Sequence, residues 1–376
     1  MFTNTAIGFH TFTKFSMKSG SENRDLLDDF KDYHKKNCCF IIKKIPKTNT
    51  AFSIEYKADI RSRGVSWKIM FVTTPTGYKY CGVETTINPQ LLLGTNDLIA
   101  ISNESHVDRT AIAYNELAKE ISPNLPLFED YAINRTDPCI NFDISEMYIG
   151  CSAKNVMLLL KRGDILPNCK EYTEYDFEVS HRKKSYEHSF YLVSDSFNIN
   201  LYWKYEQLKE ELPFRIADIE RTKHLIRFEV QQKYNKIYHA KSKIKGMNNY
   251  DTTKHLLSNA ETSFTAESYF EQVVKTGDYY TLKKAISLVE AIPFRRHRHN
   301  RVIETLKLVS KHKSIARARE QLRTSENATL TVEQFNWSLQ DLSEMGINPV
   351  TIPRRWKIKH IPNLLKEFKR LRALGY

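Results

Sequence analysis

Three stretches of the sequence decide the fold: NRTDPCINFDIS at residues 134–145, SFYLVSDSFNINLYWKYEQL at 189–208 and HLIRFEVQQKYNKIY at 224–238. Each contains a run in which polar and apolar residues alternate, and this period of two predicts a β-strand with one polar face. If the three strands are neighbours in one antiparallel sheet, their polar residues share one surface. That surface would carry Arg135, Asp137, Asp143, Tyr202, Lys204, Arg227 and Glu229.

The remaining sequence predicts a sheet-containing N-terminal part and a helical C-terminal part. Further strands are predicted at 40–44, 52–56, 66–73 and 78–87, with helices at 24–34, 110–121 and 152–162. From Thr252 onward helices are predicted at 266–276, 280–291, 301–311, 315–322, 331–345 and 361–374. We therefore expect an α+β protein, with an antiparallel-sheet domain at residues 1–245 and an all-helical basic domain at residues 246–376.

The positive charge of the chain is concentrated near its C-terminus. Among the 376 residues, 57 Lys and Arg against 44 Asp and Glu give a net charge of +13, and residues 291–376 hold 18 of those basic residues. This excess suits a polyanion such as DNA, although Lys-rich compositions also occur without such a ligand. Segments 302–322 and 330–345 also resemble helix-turn-helix pairs. The candidate DNA-binding residues are Arg295, Arg296, Arg298, Arg301, Arg317, Arg319, Arg354 and Arg355.

Composition and motifs argue against several classes of protein. The longest aliphatic run, residues 156–160, is far shorter than the roughly 20 apolar residues that span a membrane, and we expect no secretion signal. The six cysteines form no C-x-x-C pair, which favours free thiols and a cytoplasmic protein. No G-x-x-x-x-G-K-[ST] loop occurs, which argues against a nucleotide-driven helicase.

The residues on the predicted polar face suit chemistry on a phosphodiester. Carboxylates bind Mg²⁺ or Mn²⁺, which polarise the phosphate, and Arg and Lys neutralise the charge that develops on its oxygens. A tyrosine hydroxyl can attack phosphorus and form a covalent phosphotyrosyl bond. The alternative is that these residues form the solvated face of a half-exposed sheet, where Asp, Asn, Lys and Glu are common.

The three stretches resemble sequence blocks of rolling-circle replication initiators. These blocks have the patterns R-x-D…D, Y-x-K and R-[FIL]-E-V in phage and plasmid replication proteins of the gene II/X-like type and in related plasmid Rep and conjugative relaxase groups. They occur here in the family's order, and TTINPQLLLG at 85–94 resembles the segment that precedes them. The resemblance covers roughly residues 8–245. FRRHRHNRVIETLKLV and FNWSLQDLSEMGINPVTIP are similar to the family's helical tail.

This resemblance implies a Rep-like or relaxase-like nicking enzyme that cuts one strand at an origin and stays attached to the 5′ phosphate. Tyr202 would be the nucleophile and Tyr205 its rival, on the opposite face if the strand continues. The implied metal ligands, for Mg²⁺ or Mn²⁺, are Asp137, Asp143 and Glu229. The residues that would orient the scissile phosphate or complete the strand pairing are Lys204, Arg135 and Arg227. Host helicase and polymerase are further implied partners, and a homodimer is compatible with the sequence.

The sequence departs from many such initiators because it has no His-hydrophobic-His motif. Its His297-Arg298-His299 run and its His181 are interpreted as phosphate contacts or surface residues. A second hypothesis is a non-catalytic origin-binding or transcription-regulating protein, and a third is an RNA-binding protein, although no RNP-type aromatic block occurs. The tryptophans interpreted as core residues, with stacking on single-stranded DNA as the alternative, are Trp203, Trp337 and Trp356.

Overall fold

The chain is a mixed α/β protein built on a large antiparallel sheet, as the sequence predicts. The computed structural model describes residues 6–37, 40–44, 52–60, 63–73, 79–95, 97, 99–145, 151–171, 174–175, 183–184, 188–211 and 219–374. The fold below concerns these residues. His181, Cys38 and Cys39 lie outside them.

Most of the described strands lie in the first two-thirds of the chain, and a short pair lies near its C-terminus. They are β1 (Ile7–Lys18), β2 (Phe40–Lys44), β3 (Phe52–Ile60), β4 (Val65–Thr73), β5 (Lys79–Ile87), β6 (Ala132–Asp143), β7 (Lys170–Glu171), β8 (Glu174–Tyr175), β9 (Lys183–Lys184), β10 (Ser189–Val193), β11 (Phe197–Trp203), β12 (Leu225–Gln232), β13 (Tyr279–Tyr280) and β14 (His360–Ile361).

Most helices follow the last long strand. They are α1 (Gly20–Asn37), α2 (Pro89–Leu92), α3 (Val107–Ile121), α4 (Ala153–Leu160), α5 (Lys204–Glu211), α6 (Tyr234–Lys241), α7 (Asn249–Leu256), α8 (Asn259–Val274), α9 (Leu282–Glu290), α10 (Arg296–His312), α11 (Ile315–Thr324), α12 (Val332–Glu344) and α13 (Leu364–Ala373). Short 3₁₀ turns occupy Glu104–His106, Phe128–Asp130 and Arg354–Trp356.

The first compact unit comprises residues 1–139, 195–197 and 230–263. Its strands lie in the order β2-β3-β4-β5-β1-β6, and the pairs from β2 to β1 are antiparallel. Strand β4 buries Val65, Trp67 and Ile69 on alternate positions, as expected where one face of a strand covers a core. The Trp67 Nε1–H donates to the Tyr114 hydroxyl at 3.1 Å, which satisfies a polar atom inside this aromatic core.

The second compact unit comprises residues 140–194, 198–229 and 264–376. Here the end of β6 is followed in the sheet by β12, β11, β10 and β7. The apolar faces of β6 and β12 carry Phe142 and Phe228, whose rings contact Phe270 of α8 with centroid distances of 5.1 Å each. The units therefore do not follow the predicted boundary at residues 245/246, because much of the sheet belongs with the C-terminal helices.

Three local predictions need correction. Residues 189–203 form a hairpin of β10 and β11, and not the single strand block predicted from 189 to 204, because Ser194–Ser196 connect two antiparallel partners. Strand β1 was not predicted, since its apolar residues do not alternate strictly. The C-terminal part is mostly helical but includes the short pair β13 and β14. The helix predicted at 152–162, with Ser152 expected as its N-cap, is confirmed as α4, because the Ser152 side chain accepts the Asn155 N–H.

No helix in the described part of the chain is long and apolar enough to cross a membrane. The four cysteines described, Cys81, Cys139, Cys151 and Cys169, are free thiols, as the sequence predicts.

A fully buried lysine makes the stability of the first unit depend on pH. The Lys14 ammonium lies 3.8 Å from the Phe128 ring centroid and donates to the Thr253 hydroxyl at 3.0 Å. Burial lowers the pKa of Lys14 from 10.5 to about 7. In the unfolded chain the Lys14 ammonium keeps its proton to about pH 10. Between pH 7 and 10 the unfolded state therefore binds more protons than the folded state. Stability must rise with pH across that window.

Between pH 7 and 10 we expect the free energy of unfolding to rise more in the wild type than in Lys14→Met. The difference between the two rises should be on the order of 4 kcal/mol. Urea denaturation at several pH values measures this difference. Lys79→Met, which changes an exposed lysine on β5, is the matched control and should behave as the wild type. Equal slopes for the wild type and Lys14→Met would show that Lys14 is not the responsible group.

Candidate functional site

In the second unit, most polar residues of β6, β12 and β11 are buried. They do not form the solvated face of a half-exposed sheet, which was the alternative interpretation of the sequence. Asn141, Tyr202, Arg227 and Glu229 each expose less than a tenth of their surface. The Arg227 Nε–H donates to Asn141 Oδ1 at 2.7 Å and so joins β12 to β6. This contact fits the part of the prediction in which Arg227 completes the strand pairing. A buried guanidinium needs such partners, because leaving it unpaired is costly.

Tyr202 and Lys204 lie together where β11 ends. Tyr202 faces Ser189 of β10 in the hairpin register and exposes 5% of its surface. Lys204 is the first residue of α5, and its ammonium lies 5.7 Å from the Tyr202 ring centroid while it donates to Gln207 Oε1 at 2.9 Å. The Y-x-K block therefore places a cation beside a buried phenol.

Tyr205 lies on a helix and not on a continuing strand. The strand ends at Trp203, so the condition under which Tyr205 was expected on the opposite face of the sheet, a continuing strand, is not met. Its hydroxyl donates to Glu220 at 2.9 Å, and this hydrogen bond raises the pKa of Tyr205. A phenol whose proton is held by a carboxylate is a poorer nucleophile near neutral pH, unless that carboxylate acts as its base.

The three predicted metal ligands occupy different environments. In the second unit Glu229 is buried, whereas Asp143 is exposed and accepts the Ser145 N–H at 3.0 Å. Asp137 belongs to the first unit, where Arg135 donates to both of its oxygens at 2.7 and 2.6 Å and the Thr11 hydroxyl donates to one of them. Burial raises the pKa of Asp137, and Arg135 opposes that rise.

No group of three His, Cys, Asp or Glu side chains comes together as a metal site among the described residues. At Asp137 the guanidinium of Arg135 already neutralises the carboxylate, and its positive charge opposes the binding of a metal ion there. The described geometry thus does not fit a three-carboxylate centre, and the Mg²⁺ or Mn²⁺ expected from the resemblance stays a prediction.

Three of the eight candidate DNA-binding arginines form ion pairs inside the second unit. Arg298 and Arg301 each donate to Asp341 at 2.6 Å, and Arg319 donates with two nitrogens to Asp164. Burial opposes ionisation of Asp341, but the hydrogen bonds from both arginines lower its pKa. These three side chains hold helices together, because such a carboxylate is stable only when it is paired.

The other five arginines are exposed, and the structure gives them no ion pair among the described residues. They are Arg295, Arg296, Arg317, Arg354 and Arg355. Arg317 lies near the start of α11, which follows α10 after a two-residue turn of Lys313, with φ of 56°, and the N-cap Ser314. The predicted segment 302–322 is therefore a pair of helices joined by a tight turn.

Arg162, which was not among the predicted residues, lies beside the same turn. Its carbonyl accepts the Ile315 N–H at 3.0 Å, and burial together with the positive charge of Arg355 lowers the pKa of Arg162. The Arg162 guanidinium donates to the Thr351 carbonyl at 3.4 Å. The only feature of the sequence that points to Arg162 is the Lys161-Arg162 pair at the end of α4. Such a pair of basic residues is common and does not by itself indicate a site.

Of the remaining tryptophans and histidines singled out in the sequence, some are exposed to solvent and others make hydrogen bonds within the fold. Trp337 exposes 56% of its surface, so its interpretation as a core residue is wrong. The Trp203 Nε1–H donates to the Lys223 carbonyl, which fits a packing role. His299 contacts the Ile292 carbonyl through Nε2 at 2.7 Å, whereas His297 is exposed.

Comparisons with known proteins add no identification. No protein-family model matches the sequence, and the search of curated proteins returned no match.

The contrast between two neighbouring arginines of α11 gives a direct test. Arg319→Ala leaves Asp164 with Lys275 as its remaining cation, so we expect a loss of about 2 kcal/mol in the free energy of unfolding. Arg317→Ala should leave stability within about 0.5 kcal/mol and weaken binding to duplex DNA. Thermal unfolding and fluorescence anisotropy measure the two effects. The opposite pattern would reverse the division between structural and DNA-binding arginines.

Proposed function

We propose that this chain is a replication initiator of a phage or plasmid that cuts one DNA strand at an origin and holds the 5′ end covalently on Tyr202. The proposal rests on one observation above all. The three sequence blocks that resemble rolling-circle initiators lie on neighbouring strands, in the order β6, β12 and β11. Because these strands are neighbours, the polar residues of the three blocks can lie on one face of the sheet.

In the proposed reaction the Tyr202 oxygen attacks the phosphorus of one phosphodiester. A new bond forms between the tyrosine oxygen and phosphorus, and the bond from phosphorus to the 3′ oxygen breaks. The phenol loses its proton, and the leaving 3′ oxygen gains one to become a free 3′ hydroxyl for a polymerase. The Lys204 ammonium, which lies beside the Tyr202 ring, would stabilise the negative charge that develops during this exchange.

The buried position of Tyr202 sets a condition on this mechanism. Because Tyr202 exposes 5% of its surface, the origin strand must displace the side chains that cover it before attack. The exposed arginines of the second unit would bind the duplex first, and their binding energy would offset the cost of that opening. Cleavage should therefore require specific origin DNA.

The alternative function is a non-catalytic origin-binding protein. Two observations favour it: Asp137 is neutralised by Arg135 in the first unit, and Tyr202 is buried in the second. In that case the polar strand faces would stabilise the fold alone, and the exposed arginines would account for all of the protein's action on DNA.

Tyr202→Phe separates these two functions. We expect this variant to bind origin DNA as the wild type does but to form no covalent adduct, because only the attacking oxygen is removed. Incubation with supercoiled plasmid that carries the gene and its flanking region, followed by a denaturing gel, detects the adduct. Tyr205→Phe is the matched control and should still form it. An adduct with Tyr202→Phe but not with Tyr205→Phe would transfer the nucleophile to Tyr205.

Metal dependence is tested in the same assay with the wild type. We expect a chelator to abolish the adduct and added Mg²⁺ or Mn²⁺ to restore it, while binding to duplex DNA changes less than twofold. This outcome is expected because a divalent cation would stabilise the negative charge that develops on the phosphate oxygens. Full cleavage in excess chelator would remove the metal from the proposal. Tight binding without cleavage under any of these conditions would favour the origin-binding function.

A further inference from the structure

Helix α6 of the first unit presents two tyrosine rings to solvent. Tyr234 exposes 61% and Tyr238 58% of its surface, which is unusual for side chains of this size. They are four residues apart and so lie on one side of the helix. Their ring centroids are 6.0 Å apart and the ring planes differ by 32°. The two rings thus form one continuous exposed aromatic surface, which we call the tyrosine pair.

The helix that carries the tyrosine pair is firmly anchored. Ile237 lies between the two tyrosines in sequence and is buried, at 1% exposure, in the core of the first unit. Ala240 and Ile244 pack against the same core. Because the opposite side of α6 is fixed in this way, the rings are held outward, and their orientation does not need to be ordered when a ligand binds.

Positive charge surrounds the tyrosine pair. Residues 233–245 contain no Asp or Glu. Their five lysines are Lys233, Lys236, Lys241, Lys243 and Lys245. Lys243 and Lys245 are exposed just after the helix ends. An aromatic surface inside a wholly basic segment complements a ligand with flat apolar groups and a chain of negative charges.

We propose that the tyrosine pair binds single-stranded DNA, with bases stacked on Tyr234 and Tyr238 and phosphates paired with the flanking lysines. Duplex DNA is a poorer ligand for this surface because its bases are already stacked on one another. This inference extends the proposed function, since nicking at an origin produces a single strand that the initiator must retain. The tyrosine pair belongs to the first unit, whereas Tyr202 and the arginines assigned to duplex DNA belong to the second.

The test uses the full chain and a fluorescent 15-nucleotide oligothymidine in 0.1 M salt. Stacking is worth about 1–3 kcal/mol per base, so Tyr234→Ala with Tyr238→Ala should weaken binding at least tenfold. The matched double Phe variant keeps both rings and should bind within about threefold of the wild type. Ile112→Ala, which removes an exposed apolar side chain on α3, should bind unchanged. The duplex affinity of the double Ala variant should also be unchanged.

Two results would overturn the inference. One is equal oligothymidine affinity for the double Ala variant and the wild type. The other is that the double Ala variant loses affinity for vesicles of anionic lipid but keeps its affinity for oligothymidine. That result would identify α6 as a membrane contact. Because this assay measures binding without cleavage, its failure is distinguishable from failure of the nicking proposal. If the wild type never forms an adduct but the double Ala variant loses its affinity for oligothymidine, only the nicking proposal is refuted.

Discussion

The buried guanidinium of Arg227 is the interaction on which the candidate site depends. Its hydrogen bond to Asn141 connects two strands through their polar faces, and both side chains lie away from solvent. Such a charge is tolerated only where hydrogen bonds replace its water. The strands that carry Glu229 and Tyr202 follow β6 in the sheet, so this hydrogen bond joins two of the three strands that hold the sequence blocks.

The arginines of the second unit fall into two groups, one paired with aspartates and one exposed to solvent. Arg298, Arg301 and Arg319 are bound by aspartates and contribute to folding, so their charge is largely cancelled. Arg317 and Arg355 keep their charge exposed to solvent, where it can displace the counterions of DNA. Net charge therefore overstates the basic surface that is available to a polyanion, and only the distribution of ion-pair partners shows which arginines are available.

Much of the fold was predictable because local patterns agree with the tertiary structure. Strand β2 was predicted with its observed bounds, and Ser152 with its capping role. The end of β11 was not predictable, because Lys204 and Tyr205 suit a helix or a strand equally well by type. Arg162 was missed for a different reason: its position beside Arg355 arises from segments almost 200 residues apart.

The sequence by itself determined most of the secondary structure, the polar and apolar faces of the strands, and the excess of positive charge, because each depends on residues close together in the chain. Only the tertiary structure decided that the polar face is buried, that three arginines are paired internally, and that Tyr234 and Tyr238 are exposed. The physical reason is that burial and ion pairing depend on which distant segments pack together, and alternation along a strand is the same whether its polar face meets water or protein.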